Sequence, residues 1–272
     1  MRFTDKLSKV VEKNDSLLCV GLDVDREKVP RHLFTKEKKP FLAFNRAIID
    51  ATLDLVCCYK LNMAFYESLG INGVELLIHT LKCIPREIPV ILDGKRGDIG
   101  NTAQQYARAV FDFYEADATT VNPYLGVDSI QPFLEYKNKC IFILCRTSNP
   151  SAKDFQDLPV GEEKTPLYQV VASKIRNWNT NGNCGAVVGA TYPEELRIVR
   201  AIIGDNIPML IPGIGKQGGD LKKSVMYGTN SRRELAIINS SRSILYASSK
   251  TDFASAAQRV ALHLKEEINK YR

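Results

Sequence analysis

Short apolar runs alternate with longer amphipathic segments along almost the whole chain. This alternation predicts βα units, because parallel strands must be joined by crossover segments that are usually helices. The sequence contains eight such runs, at residues 17–21, 55–59, 89–92, 118–121, 141–144, 186–189, 208–211 and 235–238. Eight strand and helix repeats predict an α/β fold that closes into a single (β/α)8 TIM barrel.

The segments between the runs have apolar residues at spacings of three and four, which predicts helices on the outside of the barrel. They are residues 41–52, 72–83, 102–115, 167–178 and 194–203, followed by a terminal helix over 253–271. A length of 272 residues suits one such barrel, since these domains commonly have about 250 residues. No boundary interrupts the series, so residues 1–272 are predicted to form one domain.

Two segments leave the pattern open. Residues 244–246 could replace 235–238 as the eighth strand, and the apolar pattern alone does not decide between them. Residues 147–166 contain three prolines and a glycine among polar residues, which indicates a functional loop or lid.

Composition excludes several classes of function. The net charge of +6 is not concentrated in a tract, so no nucleic-acid partner is expected. The sequence has no run of about 20 apolar residues and no signal segment, which predicts a cytoplasmic protein without a membrane partner. Most of the seven cysteines lie in apolar runs without C-x-x-C spacing, and we expect them to pack as reduced thiols.

Polar residues follow the apolar runs where a barrel carries its reacting groups, at the carboxyl ends of the strands. They are Asp23, Lys60, Asn62, Asp93, Lys95, Arg146, Thr147, Ser148, Gly213, Gly215, Gln217 and Arg242. The three histidines lie away from these ends, so neither a Ser-His-Asp relay nor a histidine metal site is predicted.

The third run gives the densest signal. Residues two apart in a strand share a face, so Asp93 and Lys95 are predicted to point together into the barrel mouth. An alternative interpretation is a buried ion pair, with Asp98 capping the next helix. That alternative explains Asp98 well, but it explains Lys60 beside Asp93 and Lys95 poorly, because several charges at the mouth of a core are costly unless a ligand uses them.

Two segments have the composition of a phosphate site. Residues 212–220 are glycine-rich, so their backbone N–H groups can approach an anion closely, and residues 240–242 supply two serines and an arginine. Barrels frequently bind phosphate with the loops that follow strands seven and eight. A flexible loop followed by a surface arginine is the alternative.

At Asp93-x-Lys95-x-x-Asp98 the chain resembles the orotidine 5′-monophosphate decarboxylases, and the resemblance extends over essentially the whole sequence. Residues 146–150, Arg-Thr-Ser-Asn-Pro, are most similar to the longer bacterial and protozoan branch of that family. The resemblance implies conversion of orotidine 5′-monophosphate to uridine 5′-monophosphate in de novo pyrimidine biosynthesis, with no cofactor and no metal. It also favours 235–238 as strand eight, because the phosphate arginine should follow that strand.

The resemblance implies a role for each matching residue. Lys95 would protonate C6 of the pyrimidine, within a charged network of catalytic residues. The network would consist of Lys60, Asp93 and Asp98 around Lys95. The substrate contacts would be Asp23, Lys60 and Asn62 at the ribose, Thr147 and Ser148 at the pyrimidine, and Gln217 and Arg242 at the phosphate. Asp98 and Thr102 would reach the site of a neighbouring subunit, which implies a homodimer with shared active sites.

Other functions stay open at this point. A Mg²⁺-dependent keto-sugar-phosphate decarboxylase or aldolase has the same kind of barrel, although the pairing of Lys60 with Lys95 speaks against it. A non-catalytic nucleotide-binding dimer is a second alternative. The sequence also leaves open whether the domain stands alone or derives from a bifunctional polypeptide.

Overall fold

A computed structural model describes residues 1–215 and 219–272 of the chain. Within them, eight parallel strands close into a barrel in which each strand pairs with its neighbours in sequence, and the last pairs with the first. The strands are β1 Leu18–Gly21, β2 Cys58–Asn62, β3 Val90–Arg96, β4 Ala118–Val121, β5 Cys140–Arg146, β6 Cys184–Val188, β7 Met209–Pro212 and β8 Ala236–Ser240. The predicted (β/α)8 barrel is confirmed.

The predicted outer helices are present with small changes at their ends. The helices are α1 Phe3–Asn14, α2 Arg31–Lys36, α3 Pro40–Thr52, α4 Met63–Glu67, α5 Ile71–Cys83, α6 Gly100–Arg108, α7 Gln131–Leu134, α8 Leu167–Trp178, α9 Pro193–Ile203, α10 Leu221–Gly228, α11 Arg242–Leu245 and α12 Phe253–Asn269. The helix predicted over 102–115 is instead α6 followed by a π-helical turn, Ala109–Phe113. Residues 244–246 belong largely to α11, so 236–240 forms the eighth strand.

The second strand lies three residues later than its predicted start and end. Its predicted first residues lie in the connection from α3, where Asn14 and Ser16 donate side-chain hydrogen bonds to backbone carbonyls of residues 53–56. The ladder with β3 continues through Lys60 and Asn62, which pair with Ile91 and Asp93. The predicted strand ended too early because the last part of β2 contains the polar residues Lys60 and Asn62, which interrupt the apolar pattern.

Helix α1, which the apolar pattern did not identify, lies against the amino-terminal end of the barrel. The Phe3 ring packs edge-on against Phe142 of β5, with 5.7 Å between centroids. The Phe3 amide donates to the carbonyl of Asn138, and Lys6 pairs with Asp117, directly before β4, at 2.7 Å. This helix covers one end of the barrel, so the carboxyl ends of the strands form the open face.

The loop at 147–166 has structure of its own. It contains a 3-10 turn, Pro150–Asp154, and a short antiparallel pair, Pro159–Val160 with Thr165–Pro166. The cysteines are free, and all except Cys83 are buried, as predicted. In the described ranges, no helix combines the length and apolar character that a membrane span requires.

Candidate active site

A cavity of about 510 Å³ opens at the carboxyl ends of the strands. Its volume is typical of a site for a small molecule. The predicted site residues that line it are Asp23, Lys60, Asn62, Asp93, Lys95, Thr147, Ser148 and Arg242. Strand-end residues that are far apart in sequence therefore meet around one space.

A buried ammonium group lies at the centre of the charged wall. Lys60 Nζ is 3.1 Å from Asp93 Oδ2 and 3.8 Å from Asp23 Oδ1. The side chains meet because Lys60 of β2 pairs in register with Gly21 of β1, and Asn62 pairs with Asp93 of β3. Lys60 is only 4% exposed, so the two carboxylates replace most of the water that would otherwise solvate it.

Asp93 accepts hydrogen bonds from three side chains. Besides Lys60, its carboxylate accepts from Lys95 Nζ at 2.6 Å and from the Thr120 hydroxyl at 2.8 Å. Thr120 also accepts from the Lys95 backbone N–H at 2.9 Å, so one side chain of β4 fixes both residues. The side chain of Lys95 is 46% exposed and reaches into the cavity.

The side chains of Asp93 and Lys95 both reach the cavity, as predicted, but the prediction that a regular strand brings them together is wrong. The pairing of β3 with β4 shifts between Leu92 and Arg96, as at a β-bulge. Lys95 has a φ of 47°, in the left-handed region that costs an L-residue about 1–2 kcal/mol. The hydrogen bonds to Thr120 and Asp93 offset that cost and hold the ammonium group in the mouth of the barrel.

Burial and charge act in opposite directions on the two buried groups. Burial by itself disfavours the ammonium of Lys60, but Asp23 and Asp93 outweigh it and raise the pKa of Lys60 above its usual value. Burial likewise disfavours the carboxylate of Asp93, but Lys60, Lys95 and Thr120 lower the pKa of Asp93 well below its usual range. Each group keeps the other ionised.

Asp23 is positioned by bonds to the backbone on both sides. Its Oδ1 accepts from the Asn62 N–H at 3.2 Å. The hydroxyl of Tyr246 donates to the Asp23 carbonyl at 2.9 Å and accepts from the Asp25 N–H at 2.7 Å. Asn62 in turn caps α4 by accepting from the Ala64 N–H. The connection after β1 is therefore held in one conformation beside Lys60.

The opposite wall is built from the segment that follows β5. The Thr147 hydroxyl donates to Asn149 Oδ1 at 2.7 Å and accepts from Gln156 Nε2 at 2.9 Å. Gly189 lets this segment approach β6, since a Cβ there would lie 2.7 Å from the Ser148 Cβ. Thr147 and Ser148 both line the cavity, as predicted.

The predicted phosphate side of the cavity includes Gly213, Ser241 and Arg242. Gly213 and Gly215 have φ values of 108° and 95°, which side-chain-bearing residues rarely adopt. Arg242 is exposed and begins α11 at the mouth of the cavity. Gln217, predicted to bind phosphate with Arg242, lies outside the described residues.

Asp98 and Thr102 do not line the cavity of their own chain. Asp98 Oδ1 accepts from the N–H of Ile99, and Ile99, not Asp98, is the N-cap residue of α6, which corrects the capping alternative. Thr102 lies exposed in the first turn of that helix. Ile99, directly after Asp98, is 57% exposed.

Several lining residues were missed from the sequence. They are Thr120 and Asn239, the loop residues Asn149 and Gln156, and the apolar Leu144, Val187 and Leu210. Thr120 and Asn239 were detectable in principle, because one is a polar residue inside a predicted strand and the other directly follows one. Asn239 is buried, and its Oδ1 accepts from the Cys19 thiol at 3.5 Å. Nothing in the sequence distinguished Gln156 within its loop.

In residues 1–215 and 219–272, no group of three or more His, Cys, Asp or Glu side chains is arranged to hold a metal ion. The carboxylate oxygens of Asp93 accept from two ammonium groups and one hydroxyl.

Comparison with known proteins identifies relatives along the full length. The model of the Orotidine 5'-phosphate decarboxylase / HUMPS family matches residues 16–257. The orotidine 5'-phosphate decarboxylases of Dehalococcoides mccartyi and Cupriavidus necator are each 51% identical over 274 residues, covering 100% of this chain and 99% of the relative.

Two solved structures from Leishmania donovani are similar to this chain over its full length. The OMP decarboxylase of Leishmania donovani has a TM-score of 0.84 and 38% identity, covering 100% of this chain and 98% of that one. The UMP synthase of the same organism has a TM-score of 0.88 and 40% identity, with 100% of this chain covered. This chain spans 56% of the UMP synthase.

The lowered pKa of Asp93 makes a prediction about stability in acid. A carboxylate with a depressed folded-state pKa stabilises the protein fully above its unfolded-state pKa of about 4, and this contribution is lost as the pH falls further. Asp93→Asn should therefore be less stable than the wild type at pH 7, and the difference should shrink as the pH falls from about 4 toward 2. Urea unfolding across this range measures it.

Glu135→Gln is the matched control, because Glu135 is exposed and makes no ion pair in the described part of the chain. Its difference from the wild type should stay small at every pH. A gap between wild type and Asp93→Asn that stays constant down to the lowest pH would contradict the prediction.

Proposed function

Because this chain belongs to the Orotidine 5'-phosphate decarboxylase / HUMPS family, we propose that it converts orotidine 5′-monophosphate to uridine 5′-monophosphate and CO2 in de novo pyrimidine biosynthesis. The observation that carries this proposal is the chain of contacts from Lys60 through Asp93 to Lys95 in a cavity with Arg242 at its rim. The cytoplasmic location stays a prediction, and residues 1–272 are proposed to act as one barrel domain.

The donors around Asp93 favour a decarboxylase that needs no metal over the Mg²⁺-dependent alternative. Mg²⁺ requires free carboxylate oxygens in a nearly octahedral arrangement. Both oxygens of Asp93 instead accept from ammonium groups, Lys60 on one and Lys95 on the other. A metal ion at this carboxylate would face two positive charges. Activity is therefore expected to survive EDTA.

The positions of the lining residues suggest how the nucleotide binds. The phosphate would lie against Arg242 and the backbone at Gly213, with Gln217 as a further proposed contact. Asp23, Lys60 and Asn62 would hold the ribose hydroxyls beside β1 and β2. The pyrimidine would then lie between the segment after β5, where Thr147 and Ser148 are, and the exposed ammonium of Lys95.

Decarboxylation breaks the bond between C6 and the carboxylate carbon, and the electron pair stays on C6 in an orbital in the plane of the ring. The ring π system cannot delocalise that pair, so the protein must stabilise it. A proton from Lys95 Nζ then forms the C6–H bond, and the neutral amine regains a proton from solvent, which its exposed position permits. CO2 leaves with no oxidation or reduction.

Lys95 cannot supply the whole effect. An ammonium about 4 Å from the carbanion contributes on the order of 4 kcal/mol at an effective dielectric constant near 20. The largest enzymatic accelerations require more than about 20 kcal/mol. We propose that fixed charges, phosphate binding and loop closure supply the rest. Asp93 would contribute by holding the Lys95 side chain in place and by disfavouring the substrate carboxylate.

We also propose that the active unit is a homodimer with shared sites. Asp98 and Thr102 lie outside the cavity of their own chain, and the side chain of Ile99, beside Asp98, is exposed, as are those of Tyr124 and Leu125 on the turn after β4. Apolar side chains exposed together mark surfaces that bind other proteins. A second copy docked there would cover them and bring its Asp98 and Thr102 to the neighbouring cavity.

The first test is the decarboxylase assay itself, which follows the loss of orotidine 5′-monophosphate absorbance. In the wild type we expect turnover, and in Lys95→Ala a loss of about 10³-fold or more in kcat, because the proton donor is removed. The variant should stay folded and bind uridine 5′-monophosphate, since Lys95 is not a core residue. Lys153→Ala, which removes an exposed lysine outside the cavity, should be unaffected. Turnover retained in Lys95→Ala would sink the assignment of the proton donor.

Arg242→Ala should raise KM and lower kcat/KM for orotidine 5′-monophosphate by about 10²-fold or more, because a charge-assisted contact to the phosphate is lost. The same substitution should change kcat/KM for orotidine, which lacks the phosphate, by less than about threefold. Equal losses on both substrates would show that Arg242 does not act through the phosphate.

Subunit mixing tests the shared sites. Lys95→Ala and Asp98→Ala are each expected to be inactive, but a heterodimer of the two would contain one fully intact site and one doubly damaged site. Activity should rise on reassociation toward one intact site per heterodimer. A mixture that stays inactive, although heterodimers form, would place Asp98 in the site of its own chain.

A further inference from the structure

Arg146, the last residue of β5, carries its guanidinium inside the protein. The side chain is 1% exposed, and its Nε has no hydrogen-bond partner in the part of the chain that the structure describes. Burying a cation in this way is unfavourable unless its remaining contacts are good and specific. Arg146 does not line the cavity, so its contacts call for an explanation other than direct catalysis.

The contacts of Arg146 join three separate segments. Its Nη1 donates to Gln156 Oε1 at 3.2 Å, and its Nη2 donates to Asp157 Oδ2 at 3.1 Å. The guanidinium also stacks on the Tyr192 ring, 3.8 Å from the centroid. One buried side chain thus connects the end of a barrel strand to the loop that follows it and to the segment before α9.

Gln156 transmits this contact to the cavity wall. Its Oε1 accepts from both Arg146 Nη1 and the Thr147 N–H, the latter at 2.8 Å. With the oxygen held by two donors, the amide nitrogen faces the Thr147 hydroxyl and donates to it at 2.9 Å. The hydroxyl hydrogen of Thr147 is then directed to Asn149 Oδ1. A series of oriented hydrogen bonds therefore runs from Arg146 to the lining residues.

We propose that Arg146 is a positioning residue for recognition of the heterocyclic ring of the nucleotide, and that it acts through Gln156 on residues 147–149. The inference rests on the proposed function. It assigns the Thr147 hydroxyl to the wall of the site, because its hydrogen is already donated to Asn149 and is not available to the substrate. The hydroxyl of Thr147 shapes the segment, and the other groups of residues 147–149 contact the ring.

Three variants separate this role from general stability. Arg146→Met keeps the length of the side chain but removes its donors, and Gln156→Leu removes the next member of the series. Asp157→Asn is the matched control, because it removes the charge of the other partner of Arg146 and keeps the contact with Gln156. Assays are run at a temperature where circular dichroism shows each variant folded.

We expect Arg146→Met and Gln156→Leu each to lower kcat/KM for orotidine 5′-monophosphate by about 10- to 100-fold, mainly through KM, because the ring-binding wall is misplaced. Asp157→Asn should stay within about threefold of the wild type. In the double variant, kcat/KM should be at most about threefold below that of the less active single variant, since both changes break one series of contacts. Arg146→Lys should recover part of the loss, because one ammonium can reach one of the two acceptors.

Hydrogen exchange of a peptide that begins in β5, several residues before Thr147, and ends at residue 158 tests the inference without substrate. Protection at the Thr147 amide should fall in Arg146→Met and Gln156→Leu and persist in Asp157→Asn. If the wild type does not turn over orotidine 5′-monophosphate, the proposed function fails while the exchange result still decides whether Arg146 holds this segment.

The proposal would be overturned if Arg146→Met had the kcat/KM of the wild type and the same protection of the Thr147 amide. It would also be overturned if the two single losses in kcat/KM multiplied in the double variant. If Arg146→Met does not fold, Gln156→Leu decides, because Gln156 is only half-buried. Wild-type kcat/KM in that variant would also overturn it.

Discussion

The buried ammonium of Lys60 is the constraint on which the rest of the site depends. A cation removed from water to this extent is strongly destabilising unless carboxylates face it, and Asp93 of β3 and Asp23 in the connection after β1 do so. The ionised form of Asp93 is in turn favoured by Lys60 and Lys95. Charge on one residue therefore requires charge on the next, and the network is stable only as a whole.

Barrel geometry makes such a network possible with few additional contacts. Parallel strands in register place residues that are far apart in sequence side by side, as Gly21, Lys60 and Ile91 are across β1, β2 and β3. Their carboxyl ends all meet at one face, while α1 covers the other. The side chain of Thr120 on β4 then fixes both Asp93 and the backbone of Lys95.

Most of the barrel could be predicted because strands buried on both faces have continuous apolar runs. Where the runs contain functional side chains the prediction shifted, as at β2, whose polar end is part of the ladder. The meeting of Asp93 with Lys95 was predicted correctly, although the bulge that produces it leaves no signature in the residue types. Gln156 could not be found, since only the fold of its loop brings it back to Thr147. The positions of Asp98 and Thr102 relative to a second subunit depend on contacts between chains, which one sequence does not specify.

The two sides of the cavity consequently differ in how much they can move. On the side of β1 to β4, any displacement would separate a buried charge from its partner, so the free energy rises steeply with distance. On the other side, residues 147–149 are held by neutral hydrogen bonds, and Arg242 is exposed, so small adjustments cost far less. Adaptation to a bound ligand is therefore expected on the loop side, while the charged residues stay as the fixed reference. Arg146 connects the barrel to this loop, since its backbone belongs to β5 and its side chain holds the loop.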